Sequence, residues 1–156
     1  MPYFVIHSKD TKLDGSNPTI LHSYGGYEIA LTPYYDPLMA TNWLEQGGVY
    51  VIGNIRGGGE YGPKWHQAAL KEKRHKAYED FEAVARDLIA RGVTSPPRLG
   101  IMGGSNGGLL VGNMLVRTPG SAPTTYRATA LVSAAVSSSK MVCLGGGAVP
   151  DEAAAA

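Results

Sequence analysis

Cysteine is nearly missing from this chain. Cys143 is the only one in 156 residues, so no internal disulfide can form and cysteine usage gives no support to an oxidising compartment. Charge of one sign is missing too: 14 Lys+Arg against 13 Asp+Glu leave a formal +1. With no long basic stripe either, no nucleic-acid partner is expected. Nowhere do about 18 uninterrupted apolar residues occur, so no membrane partner is expected. The apolar part of MPYFVIHSKD is too short, and charge follows it too early, for a secretory signal; the default expectation is a cytoplasmic protein.

Glycine and proline, by contrast, are plentiful, with 21 and 10 residues. They predict many tight connections in a chain long enough to bury one core. Short β-branched or apolar runs at 3–7, 19–24, 48–55, 98–102 and 128–134 read as strands. The third and fourth are nearly continuous apolar runs, as expected of strands covered on both faces.

Helical spacing lies between them. In AYEDFEAVARDLIARG, Tyr78, Phe81, Val84, Ala85, Leu88 and Ile89 form one apolar stripe; Glu79 and Asp80 are expected near its start, and Arg91 with Gly92 at its end. A shorter helix is expected over 37–48, with Pro37 in its first turn, and another over 106–117. Strands alternating with helices predict an α/β fold with a mostly parallel sheet and right-handed crossovers. From 137 onward serine, glycine and alanine clusters lack periodicity and predict a poorly ordered tail.

Three glycine clusters remain. Gly103-Gly104-Ser105-Asn106-Gly107 fits G-x-S-x-G between an expected strand and an expected helix. Such a bend strains the central residue and lifts its side chain above the sheet, and small neighbours avoid collision with strand and helix. It also exposes backbone N–H groups, that of Asn106 among them, to a developing oxyanion. A structural turn, or helix capping by Ser105, is the alternative; the flanking elements favour a nucleophile.

Gly57 to Gly62 formally matches G-x-G-x-x-G after a strand, with Asp80 about twenty residues on, as in dinucleotide sites. Asp80, however, falls in an amphipathic helix and not at the end of a second strand. A structural turn with Arg56 and Glu60 paired or hydrogen-bonded inside it is favoured. In HSYGGYE, Tyr24 taken alone reads as an aromatic packed over a turn.

Taken together, KLDGSNPTILHSYGGYEIALTP, GGVYVIGNIRGGGEYGPKWHQAALKEKRHKAYEDF and LIARGVTSPPRLGIMGGSNGGLLVG closely resemble the catalytic domain of the prolyl oligopeptidase family of serine peptidases. The likeness covers about residues 3–116. It implies a partial α/β-hydrolase fold over residues 1–136, with helices on both faces of a mostly parallel sheet, followed by the tail at 137–156. It further implies Ser105 as nucleophile, the backbone N–H of Asn106 as one oxyanion donor and the hydroxyl of Tyr24 as the other. Tyr27 corresponds to a residue lining the substrate pocket, and Arg56 and Glu60 fall in a family motif taken as structural, as are Gly103, Gly104 and Gly107. The implied activity is cleavage of peptides, typically after proline, through an acyl-enzyme and without metal or organic cofactor; acyl-ester hydrolysis on the same fold is the alternative.

The sequence also departs from that pattern. An α/β-hydrolase triad runs serine, acid, histidine, yet His7, His22, His66 and His75 all precede Ser105, and only Asp151 and Glu152 are acids that follow it. Solvent-exposed or structural roles are expected for His22 and His66. A chain without the triad acid and histidine is expected to be weak or inactive, and a truncated or frame-shifted reading from about residue 117 would explain the departure. A non-catalytic remnant with an open sheet edge, prone to self-association, is the expectation from another functional class.

Overall fold

The structure, a computed structural model, describes residues 1–117 and, as backbone, 130–133. The expectations placed on the tail, Cys143, Asp151 and Glu152 lie outside the described residues.

Five strands form one sheet: β1 (Tyr3–Ile6), β2 (Thr19–His22), β3 (Val49–Gly53), β4 (Leu99–Gly104) and β5 (Ala130–Ser133). Their spatial order is β1-β3-β2-β4-β5, with β1 antiparallel to β3 and every other pair parallel. The register aligns Val5, Val51, Leu21 and Ile101 in one row across four strands. Because side chains alternate along a strand, that row sets one face of the sheet.

Helices α3 (His75–Ala90) and α4 (Asn106–Arg117) cover this face. Phe81, Val84 and Leu88 from α3, and Leu110, Val111 and Met114 from α4, join Leu21, Val51 and Ile101 in one buried cluster. Burying a side chain such as Phe81 or Leu110 contributes about 1.5–3 kcal/mol each. The opposite face carries Ile6, Tyr50 and Ile52, and there the helical turn α1 (Pro37–Met39), continued by a π-helical stretch Ala40–Leu44, lies against them. Helices therefore stand on both faces, as expected.

The elements differ from the sequence expectation in detail. All five residues of β3 are buried, but β4 alternates, with Leu99, Ile101 and Gly103 buried and Gly100, Met102 and Gly104 only partly so. On that second face the π-helical stretch after α1 packs against β3. The helix expected over 37–48 ends at Leu44: Asp36 caps it by accepting from Leu38 N and Met39 N, and the widened turns bring Gly48 N to Trp43 O at 2.9 Å. Helix α3 starts two residues earlier than expected and has no acid in its first turn, so Glu79 and Asp80 do not serve its dipole. Its end is as expected. Gly92, at φ 67, follows Arg91, and Gly92 N to Ile89 O (3.0 Å) with Val93 N to Leu88 O (2.9 Å) closes the helix by a Schellman arrangement. One helix was not anticipated: α2 (Pro63–Gln67), a short segment opened by Gly62 and Pro63.

Candidate active site

The topology fixes where a site can form. From β2 the chain turns to α1 on one face, whereas from β4 it turns to α4 on the other. Neighbouring parallel strands whose connections leave to opposite faces open a crevice beyond their carboxyl ends. Two segments border that crevice, Ser23–Gly26 after β2 and Ser105–Asn106 after β4.

Ser105 sits at the bend between β4 and α4 with φ 53, the left-handed region, and its side chain is exposed. A non-glycine residue held there costs about 1–3 kcal/mol and persists only where surrounding packing enforces it. The enforcement is visible at two glycines. A Cβ on Gly103 would overlap the Gly107 carbonyl, and one on Gly107 would meet Ser23 O at 2.8 Å. Gly104 differs from expectation, since a Cβ there would touch nothing within 4 Å. Crowding therefore explains Gly103 and Gly107 but not Gly104. The Ser105 carbonyl, not its hydroxyl, opens the ladder of α4 by accepting from Gly108 N (3.0 Å) and Leu109 N (3.2 Å).

Asn106 ties this bend to β2. Its Nδ2 donates to Tyr24 O at 2.7 Å, and Gly26 lies so close to the Asn106 amide that a Cβ there would push that amide from its place. Ser23 Oγ, fully buried, donates to Gly53 O at 2.7 Å and anchors the end of β2 to β3. Tyr24 thus lies on a loop fixed at both sides. Tyr27 follows on the same loop, 77% exposed and with φ 52. It lines a cleft of about 410 Å³ with Gly26, His66, Arg74, Asn106 and Leu109. The cleft includes Asn106 of the serine bend.

The 57–62 turn is built differently. Arg56 pairs with Asp80, not with Glu60: Nε donates to Asp80 Oδ2 at 2.7 Å, Nη2 to Oδ1 at 2.5 Å, and the Arg56 backbone N–H to Oδ2 at 3.0 Å. Sequence reasoning could not see this, because the partners are 24 residues apart and the fold alone aligns them. Asp80, buried and held by Arg56 through both oxygens, is not presented to a ribose. Glu60 turns the other way and accepts from Leu31 N at 3.0 Å and Asn54 Nδ2 at 3.4 Å.

Neither histidine near the strand ends is directed to a general-base role by its contacts. His22 Nδ1 lies 2.7 Å from the Tyr50 hydroxyl, and burial holds the imidazole below its ordinary pKa and therefore neutral at pH 7. His66 Nδ1 lies 2.7 Å from Gly57 O and 3.1 Å from Glu28 N. One residue of the cleft was missed by sequence reasoning. Arg74, just before α3, donates through Nη1 to Gly25 O and through Nη2 to Asn106 Oδ1 at 3.4 Å. Its local sequence, a run of Lys, Glu and Arg, carries no sign of that role.

The likeness to known proteins falls on these same segments. The model of the prolyl oligopeptidase family matches residues 33–144, so the match runs on past Val116, beyond the residues 3–116 that carry the resemblance in the sequence. A peptidase of Sinorhizobium fredii is 59% identical over 119 residues, 76% of this chain and 16% of the relative. The prolyl endopeptidase of Elizabethkingia miricola is 44% identical over 126 residues, 81% of this chain and 18% of the relative. This chain thus spans under a fifth of the length of the relatives it matches. Among solved structures, a post-proline cleaving enzyme from Rickettsia typhi superposes with TM-score 0.75 at 42% identity, covering 83% of this chain and 19% of that one. The apo prolyl oligopeptidase B of Galerina marginata gives 0.74 at 36%, covering 80% and 17%. The open, mostly parallel sheet is accordingly that of an α/β-hydrolase catalytic domain, and with more than half its length matched the chain belongs to the prolyl oligopeptidase family.

Proposed function

We propose that this chain carries the nucleophile and oxyanion hole of a serine peptidase that cleaves peptides after proline. The observation that carries the reading is Ser105, exposed at φ 53 on the strand-to-helix bend and bordering the crevice where the connections diverge. In this role Ser105 Oγ loses its proton to water or an external base as it bonds to the scissile carbonyl carbon, and the carbonyl π pair moves onto oxygen. The Asn106 backbone N–H and the Tyr24 hydroxyl receive that oxyanion. Collapse expels the amine, which takes a proton, and water then hydrolyses the acyl-serine. Tyr27 stands in the cleft beside Asn106, where the residue preceding the scissile bond would lie.

The family membership supports the peptidase class. Within these 156 residues no histidine follows Ser105. The isolated chain is therefore proposed to be weakly active, retaining only the roughly 10³–10⁴-fold acceleration that oxyanion stabilisation and binding provide without a complete triad.

A fluorophosphonate probe in excess tests the nucleophile. Slow labelling of the intact chain, lost in Ser105→Ala and accelerated by imidazole as external base, is expected. Labelling that survives Ser105→Ala would remove Ser105 from the role. Comparing a proline-containing chromogenic peptide with a short acyl ester then separates peptidase from esterase.

A further inference from the structure

Arg74 is placed as a bridge between the two sides of the crevice. It stands at the boundary between the 3₁₀ turn Lys71–Lys73 and α3, partly buried. One guanidinium nitrogen donates to Gly25 O, beside Tyr24, and the other to Asn106 Oδ1 at 3.4 Å. Asn106 Nδ2 returns to Tyr24 O at 2.7 Å, so the three segments close into a ring of hydrogen bonds. The guanidinium also lies 5.6 Å from the centroid of the Tyr78 ring, which is buried on the first turn of α3. Its direction is thereby fixed from below as well as at its tip.

Arg117 shares the Tyr78 ring at 5.5 Å, but three other arginines on or beside α3 are spent differently. Arg56, Arg86 and Arg91 pair with Asp80, Glu82 and Asp87, whereas among the described residues no carboxylate forms an ion pair with Arg74. Its contacts at the tip are neutral oxygens, one on each element that presents an oxyanion donor. A planar fork can address two such acceptors in fixed geometry, which a single ammonium cannot.

We propose that Arg74 is a positioning residue that holds the loop of Tyr24 and the first turn of Asn106 in one register, so that both oxyanion donors converge. The inference rests on the assignment of Ser105, Asn106 and Tyr24 proposed above. Loosening either donor by a fraction of an ångström to an ångström costs about 10- to 100-fold in rate.

The test uses the whole chain and the rate of Ser105 phosphonylation by a fluorophosphonate, resolved into the limiting rate and the half-saturating probe concentration. Arg74→Ala is expected to lower the limiting rate about 10- to 100-fold and to leave half-saturation within about twofold. Arg74→Lys should fall between Arg74→Ala and the parent. Millimolar ethylguanidinium should restore much of the loss in Arg74→Ala, and Arg86→Ala, on the exposed side of α3, should match the parent. An unchanged limiting rate in folded Arg74→Ala, a loss confined to half-saturation, or a loss that neither lysine nor ethylguanidinium reduces would each overturn the proposal.

A second measurement holds even if the parent is not labelled at Ser105, a result that would defeat the nucleophile assignment instead. Amide hydrogen exchange at Glu28 and Ile29, which donate to Gly57 O and Gly26 O, and at Gly108 and Leu109, which donate to Ser105 O, should quicken about tenfold or more in Arg74→Ala and stay unchanged in Arg86→Ala. Equal exchange in parent and Arg74→Ala would refute the bridge by itself. Should Arg74→Ala fail to fold, Arg74→Lys gives the same two readings at smaller amplitude.

Discussion

Two glycine-rich turns of the same sheet are put to opposite uses. The turn at 57–62 follows β3 and gathers its charged side chains inward: Arg56 onto buried Asp80, and Glu60 onto Leu31 N and Asn54. The turn at 103–107 follows β4 and leaves its one hydroxyl outward, at φ 53 and exposed. Both are crowded by backbone. A Cβ on Gly59 would overlap Glu28 O as surely as one on Gly103 would overlap Gly107 O. Glycine content therefore reports close approach in either case, and what separates them is where the polar side chains turn: Arg56 is paired inside and Glu60 is held inside through Oε1 with its Oε2 buried and unpartnered, whereas the Ser105 residue is exposed. A satisfied pair stabilises the fold; an exposed, strained hydroxyl lowers stability and is available for chemistry.

The sharpest way to break this comparison lies within the serine turn itself. Gly103→Ala must push β4 from α4 and is expected to destabilise by about 3 kcal/mol, the upper range for forced overpacking. Gly104→Ala, one residue on, meets open space and should stay within about 0.5 kcal/mol of the parent. Urea unfolding monitored by circular dichroism reads both. Similar losses at the two positions would show that the bend is not held by the Gly103–Gly107 contact.

Next in size is the ion pair of the other turn. Asp80→Ala leaves the Arg56 guanidinium and backbone N–H without their shared acceptor. Because the arginine side chain keeps 26% exposure and can recover water, about 2 kcal/mol of destabilisation is expected, short of a fully buried pair. The same unfolding curves measure it. A loss below about 0.5 kcal/mol would place the pair among solvent-screened surface bridges.

A smaller effect of opposite sign is expected at Ser105. Ser105→Gly removes the left-handed strain while giving the unfolded chain more freedom, for a net gain of about 0.5–1 kcal/mol. Ser105→Ala keeps the strain and should leave stability near that of the parent, though both lose the hydroxyl. A thermal midpoint higher by about 2 °C for glycine than for alanine checks the difference. Equal midpoints would mean that the φ of 53 carries no strain.

The pattern of legibility follows the range of the forces. Strand β3, helix α3 and the Gly92 stop are local: their periods and terminators are written in consecutive residues, and the structure has them within a few positions. The serine bend was legible for the same reason. Helix α2 was not, because one short turn opened by Gly62 and Pro63 has no period to detect. The Arg56–Asp80 pair and the Arg74 bridge were not either, since each joins segments 24 to 49 residues apart that only the packed sheet brings together.

The smallest effect concerns a third polar cluster, at the β1 edge, where Tyr3 Oη donates to Asp87 Oδ2 at 2.6 Å and Arg91 Nε donates to the same oxygen at 2.8 Å. Burial, followed by the Asp87 hydrogen bond, pushes the Tyr3 phenol up to about 12, and the bonds from Tyr3 and Arg91 hold Asp87 below its usual value. The signs differ at the two ends of the pH scale. A phenol with a raised folded pKa contributes stability that is whole below pH 10 and lost as pH rises through about 12; a carboxylate with a lowered folded pKa contributes stability present above pH 3.8 and lost as pH falls through its depressed value. Tyr3→Phe removes the phenol and the bond at once, so its stability relative to the parent should improve between pH 10 and 12 and also below pH 4. Tyr50, raised to about 12 chiefly by burial, should give the alkaline part of that change without the acid part when replaced by Phe. Unfolding free energies measured across pH 3–12 for the two variants make the comparison. An acid-side change in Tyr50→Phe equal to that in Tyr3→Phe would show that the Tyr3–Asp87 bond is not its source.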